Sequence, residues 1–111
     1  MRQYLIDDLS REEQENITNY LKRKSRPAVM GGLFWIDVPE DLLSEEQRGH
    51  LDQCGPYSFA AEITKNSVAF EFLLRNNSNL HCSCIAYANR EQRDFLLGFV
   101  DQMLSSEMIR A

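Results

Sequence analysis

No apolar run in this chain approaches the ~20 residues that cross a bilayer as a helix, so no segment reads as a membrane span. The start, Met1-Arg2-Gln3-Tyr4-Leu5-Ile6-Asp7-Asp8, meets acid too early for the apolar stretch of a secretory signal peptide. The expected location is therefore cytoplasmic. Positive charge is in short supply: 12 Lys+Arg against 17 Asp+Glu give a net charge of -5. That balance argues against general nucleic-acid binding, which needs a basic footprint. Cysteine is sparse as well. Three cysteines, an odd number in a compartment expected to be reducing, do not make a disulfide framework. Five glycines and three prolines exclude collagen-like and low-complexity architectures. What remains is an ordinary globular composition, 43% hydrophobic and 26% charged over 111 residues. A chain of that length buries about two-thirds of its surface on folding, enough for one core. It reads as a single domain, 1–111.

Ser10 and Glu13 form a capping box, each side chain serving the other's backbone N–H, and start a helix that should run to about Lys24 and stop before Arg26-Pro27. Its stripe of Ile17, Tyr20 and Leu21 is thin, as in a helix packed along one narrow line. Tyr4-Leu5-Ile6 fits either a short strand or a turn of helix. Leu33 to Val38, aromatic and β-branched and ended by Pro39, reads as a strand. Ser44 and Gln47 make a second capping box, opening a short helix that ends near Gly55-Pro56. Asn89 caps the last helix, with Gln92 at the third position after it. Phe95, Leu96, Phe99, Val100, Met103 and Leu104 give that helix a broad apolar face, suited to lying across a sheet.

Between the second and third helices the apolar residues alternate. Tyr57, Phe59, Ala61 and Ile63 form one row, Val68, Phe70, Phe72 and Leu74 a second, and Leu80, Cys82, Cys84 and Ala86 a third. Period-2 runs separated by Lys65-Asn66 and by Asn76–Asn79 predict a three-stranded antiparallel meander. A two-residue turn at Lys65-Asn66 sets Ile63 opposite Val68, Phe59 opposite Phe72 and Tyr57 opposite Leu74. A loop of three residues at 77–79, or else of five, keeps the apolar rows on one face, and the three-residue form sets Leu74 opposite Cys82 and Phe72 opposite Cys84. The predicted fold is thus α+β: an antiparallel sheet of about four strands (33–38, 57–64, 67–75 and 80–88), the C-terminal helix packed on one face, and two shorter, peripheral helices.

The residues that could carry chemistry are His50, Cys54, Cys82 and Cys84. Zinc takes Cys and His ligands tetrahedrally. His50 and Cys54 share one face of a helix at i, i+4 spacing, and Cys82 and Cys84 share one face of a strand. The competing reading makes the cysteines small hydrophobes of the core, since free Cys is among the most buried residue types. Their alternation with Leu80 and Ala86 favours that reading. Strand geometry also opposes a Cys82–Cys84 disulfide: two strand steps span ~6.6 Å, too far for Cβ atoms that a bridge holds ~3.8 Å apart. The basic run Lys22-Arg23-Lys24, with Arg26, reads as complementing a helix C-terminus. No catalytic constellation emerges, and an enzyme is not the favoured reading.

The second sheet face is mixed. It carries Leu73, Ile85 and Tyr87 among Glu62, Glu71 and His81, too apolar for open water and too polar for a core. Cover by the first helix is the plainer expectation. The functional expectation is a docking face, for a second copy of the chain in a homodimer or for another protein. The preferred sequence reading is a non-catalytic interaction module without a cofactor. The alternative is a zinc-binding or thiol-redox domain built on His50, Cys54, Cys82 and Cys84.

Overall fold

The structure, a computed structural model, describes residues 2–76 and 82–110. In chain order it has strand β1 (Gln3–Ile6), helix α1 (Arg11–Lys24), strands β2 (Arg26–Pro27) and β3 (Leu33–Asp37), and a 3-10 turn at Glu40–Leu42. Helices α2 (Glu45–Gly49) and α3 (Leu51–Cys54) follow, then strands β4 (Tyr57–Thr64), β5 (Ser67–Glu71), β6 (Leu73–Asn76) and β7 (Ala86–Tyr87), and helix α4 (Arg90–Ser106). The fold is α+β. Its antiparallel sheet runs β1-β5-β4-β3-β2, with β6 paired to β4 and β7 paired to β6. Seven strands exceed the expected four because Tyr4-Leu5-Ile6 resolves into a strand, Arg26-Pro27 adds an edge, and the run 67–75 divides at Phe72.

One side of the sheet is the core. Phe34 and Ile36 of β3, Tyr57, Phe59 and Ala61 of β4, and Val68 and Phe70 of β5 are buried there. Ile17, Tyr20 and Leu21 of α1 and Leu96, Val100 and Met103 of α4 enter the same cluster. Tyr20 meets Phe99 edge-on, with ring centroids 5.8 Å apart. The thin stripe of α1 thus sits where the sequence puts it, at the margin beside β2 and β3, but on the same side as α4. The opposite face gets no cover from α1. It holds a groove of about 480 Å³ lined by Trp35, Ala60, Glu62, Ala69, Glu71 and Arg75, among others. Arg26, from the basic run, forks onto Asp37 at 2.8 and 2.7 Å on this face, and Ser58 donates to the same carboxylate at 2.6 Å.

Registers divide at Phe72. Ile63 lies opposite Val68, as the Lys65-Asn66 turn requires. Further along, Tyr57 faces Asn76 and not Leu74, so the β5–β6 strand has gained two residues on β4. Phe72 accounts for the slip: its N–H donates to the Arg2 carbonyl and its carbonyl accepts from Ala88, so it leaves the ladder with Phe59. A slip of two preserves the face, and Leu74 and Asn76 still point inward, both buried. The pairing with the last strand is displaced too. Leu74 faces Ala86 and Leu73 faces Tyr87, so Cys82 does not face Leu74, and among the described residues of the expected strand 80–88 only Ala86–Tyr87 are strand. The predicted loop 77–79 lies outside the described residues. Residues 82–85 form a turn, closed by the Ile85 N–H on the Cys82 carbonyl at 3.2 Å.

All three capping boxes form as paired side-chain and backbone bonds. The box of α1 is exposed, whereas Gln47 and Gln92, the third residues of the other two, are buried. The Gln47 Oε1 accepts from the Ser44 N–H and from the Gln92 Nε2, and its Nε2 donates to the Cys84 carbonyl. The Gln92 Nε2 also donates to the Leu42 carbonyl at 2.9 Å. The N-termini of α2 and α4 are therefore wired to each other and to the turn that carries Cys82 and Cys84.

Candidate metal centre

The predicted second helix breaks at His50, whose φ of -102° and ψ of 4° separate α2 from α3. The His50 carbonyl still accepts from the Cys54 N–H at 2.8 Å. One helical turn thus fixes His50 and Cys54 on the same side, as their spacing predicts. The turn at 82–85 approaches from the other direction, held by the Gln47 bond and by Ser83, whose hydroxyl donates to Glu46 Oε2 at 2.6 Å. The two segments bring four donor atoms together. The Cys82 Sγ stands 3.6 Å from the Cys54 Sγ, 3.2 Å from the His50 Nδ1 and 2.7 Å from the Cys84 Sγ. All four ligand atoms lie within 4.8 Å of one another. Zn–S bonds of ~2.3 Å and Zn–N bonds of ~2.0 Å in a tetrahedron imply edges of about 3.5–3.8 Å, so the cluster has the scale of one coordination sphere.

The expectation that Cys82 and Cys84 share a strand face does not hold, and the strand-spacing argument against their approach falls with it. In the turn their sulfurs converge. Cys54 and Cys84 are buried, while His50 and Cys82 are half-buried.

Donors surround the sulfurs. The Asn76 Nδ2 donates to the Cys84 Sγ at 3.3 Å, and the Cys84 N–H donates to the Cys82 Sγ at 3.4 Å. The buried Tyr57 hydroxyl has no hydrogen-bond partner among the described residues; burial and the neighbouring Cys84 sulfur push its pKa up. Burial alone would raise the Cys84 thiol, but the polar groups around its sulfur, Cys82 first and then Tyr57, Asn76 and Cys54, outweigh it and hold Cys84 below the ordinary thiol range. Burial, reinforced by Cys82 and Cys84, pushes Cys54 up to about 12. Cys84 is thus favoured as a thiolate beside a Cys54 thiol that resists ionising. A cation held there would deprotonate outright any thiol that coordinated it.

The residues of the expected docking face are scattered. Glu62 and Glu71 line the groove with Trp35, and Arg75 pairs with Glu71 at 3.3 Å. Leu73 lies opposite Tyr87, whose ring carries the Arg2 guanidinium 3.7 Å above its centre, in a separate depression with Phe72 and Arg93. Ile85 is half-buried in the turn beyond the cysteines, and His81 lies outside the described residues. Sequence reasoning missed Gln47, Gln92, Asn76 and Tyr57. The first two had a legible role as caps, but nothing in a single capping box says which atom it will reach inward.

No family model, curated protein or solved structure matches the chain.

Proposed function

We propose that the chain is a zinc-binding domain in which His50, Cys54, Cys82 and Cys84 hold one ion tetrahedrally in a structural role. The observation that carries this reading is the convergence of four donor atoms, from two segments far apart in sequence, to within 4.8 Å. Three thiolates and one imidazole suit zinc among divalent ions. Four protein ligands leave no open position for a substrate, which distinguishes a structural from a catalytic centre. The N–H groups aimed at sulfur complete the picture, since outer-shell donors orient and tune metal ligands. The ion would pin the α2–α3 segment to the turn before β7. The test is elemental analysis of the reduced, purified chain, followed by replacement with cobalt. One metal per chain and intense thiolate-to-cobalt absorption bands are expected. A metal-free protein whose reduced thiols give no such bands with added cobalt would sink the reading.

A second reading, protein docking on the outer sheet face, is supported by the uncovered groove and by its charge. Glu62 is exposed and has no ion-pair partner among the described residues, and it stands in the same groove as the half-buried Trp35. A cationic side chain can pair with the carboxylate while lying against the indole. The fitting occupant is a basic segment of another protein. Titration with a lysine-rich peptide, read by Trp35 fluorescence, should saturate and be lost in Glu62→Gln. Absence of saturation in a monomeric protein would reject the reading; self-association in sedimentation would assign the face to a second copy.

A further inference from the structure

We propose that the centre is also a redox-operated release device, in which hydrogen peroxide converts Cys82 and Cys84 into a disulfide and expels the ion. This rests on the zinc reading above. Their sulfurs are 2.7 Å apart. That distance falls between the ~2.05 Å of a disulfide bond and the ~3.8 Å edge of a zinc tetrahedron. Both cysteines sit in a short turn rather than a strand or helix, and the sulfurs stand about 0.7 Å from bonding distance here, while the zinc-loaded centre would close by about 1.7 Å to reach it. Cys54, at 3.6 Å from Cys82, is on the far wall and belongs to α3.

Exposure sets the order of events. Cys54 and Cys84 are buried and Cys82 is half-buried, and oxidation selects the accessible thiolate. The peroxide O–O bond breaks as one oxygen passes to the Cys82 sulfur, giving a sulfenic acid, and the other leaves as water or hydroxide. The Cys84 thiolate then attacks the Cys82 sulfur, the S–S bond forms and a second hydroxide departs. Two electrons move from the two sulfurs to the peroxide oxygens, and protons from solvent complete two waters. The ion loses two of its four ligands and two negative charges. Only His50 and Cys54 remain, too few for a closed tetrahedral site.

The experiment uses the full chain loaded with zinc and treated with hydrogen peroxide in the presence of a chromogenic chelator. Released zinc is measured, and the products are alkylated and cut with trypsin. Lys65 and Arg75 separate Cys54 from the other two, and the peptide 76–90 contains both Cys82 and Cys84. The expected result is release of all the zinc in step with a disulfide inside peptide 76–90, with zinc rebinding after reduction by a dithiol. Zinc that stays bound, a cross-link from Cys54 to peptide 76–90, or sulfinic acid at Cys82 as the main product would overturn the proposal. Failure of the zinc reading is separately visible, as metal-free protein before any peroxide is added. In Cys54→Ser the disulfide in peptide 76–90 should still form, and in Cys84→Ser it cannot. A Cys54→Ser protein that forms no such disulfide would also overturn the proposal.

Discussion

Gln47→Leu removes none of the four proposed zinc ligands, yet it should weaken both the fold and the proposed zinc site. Leucine keeps most of the buried volume and deletes three interactions. The Ser44 N–H loses its Oε1 acceptor, the Gln92 Nε2 loses one of its two acceptors, and the buried Cys84 carbonyl loses the Gln47 donor at 3.2 Å. Half of a capping box is worth about 1 kcal/mol. A buried carbonyl left without a donor costs about 1–3 kcal/mol. The Gln92 amide keeps its bond to the Leu42 carbonyl, so that loss is minor. The total is about 2–4 kcal/mol. At about 4 °C per kcal/mol for a domain of this size, the Tm should fall by roughly 8–16 °C. The turn carrying Cys82 and Cys84 loses its anchor to α2, and zinc affinity should drop by about 10-fold or more, as for other outer-shell losses. Thermal melts and competition against a chelator of known affinity measure the two effects on one sample. A Tm within ~2 °C of the parent would refute the burial arithmetic. A large Tm drop with unchanged zinc affinity would refute the link between the capping network and the centre.

Gly55→Ala should damage the same region from the other side: a Cβ there would meet the Leu51 Cδ1 at 2.7 Å and the Leu51 carbonyl at 2.8 Å. Relief requires moving the last turn of α3, so a loss of ~1–3 kcal/mol in urea unfolding should accompany weaker zinc binding. Met108→Gly should stabilise. Met108 holds φ 55° after α4, where Ile109 N–H bonds to Leu104 and Met108 N–H to Ser105, the pattern of a glycine-ended helix; removing the strained Cβ should gain about 0.5–1 kcal/mol, and a lower Tm would count against it. Asp37 gives an acid limb. Burial raises its pKa, but bonds from Arg26 and Ser58 and the Arg26 charge outweigh that and leave it depressed. A depressed folded pKa means stability that is present above the unfolded value of about 3.9 and lost as pH falls through the folded one. Below about pH 4 the parent should therefore lose stability more steeply than Asp37→Asn in paired urea titrations; parallel pH profiles would contradict the pairing.

Much of the fold is legible because it depends on local rules. The three capping boxes, the end of α1 before Arg26-Pro27 and the Lys65-Asn66 turn each need only neighbouring residues. What escaped is non-local. Tyr4-Leu5-Ile6 is too short to declare a period, and only pairing with β5 makes it a strand. The two-residue slip at Phe72 depends on Arg2 and Ala88, remote in sequence and joined to it only in the folded chain. Because the slip is even, every inward residue stays inward, and the hydrophobic pattern cannot report it.

The centre was half legible for a related reason. His50 and Cys54 follow from helical spacing. Cys82 and Cys84 fit the alternation of a strand equally well, and alternation is blind to whether a segment is pulled off the sheet. Here the pull is polar: the Cys84 carbonyl goes to Gln47 and the Ser83 hydroxyl to Glu46. One clue was present in the caps. The exposed box of α1 closes with Glu13, while the two buried boxes close with Gln47 and Gln92. An ionised glutamate can only accept, whereas a glutamine accepts the cap N–H and still has two protons to donate. A buried box ending in glutamine must therefore have an acceptor further inside, since an amide left unpaired there costs free energy. For Gln92 the acceptors are Gln47 and the Leu42 carbonyl, and for Gln47 it is the backbone of the cysteine turn. The chain of glutamines leads from the caps of α4 and α2 to the turn that carries Cys82 and Cys84, and it does so through atoms that no hydrophobic periodicity records.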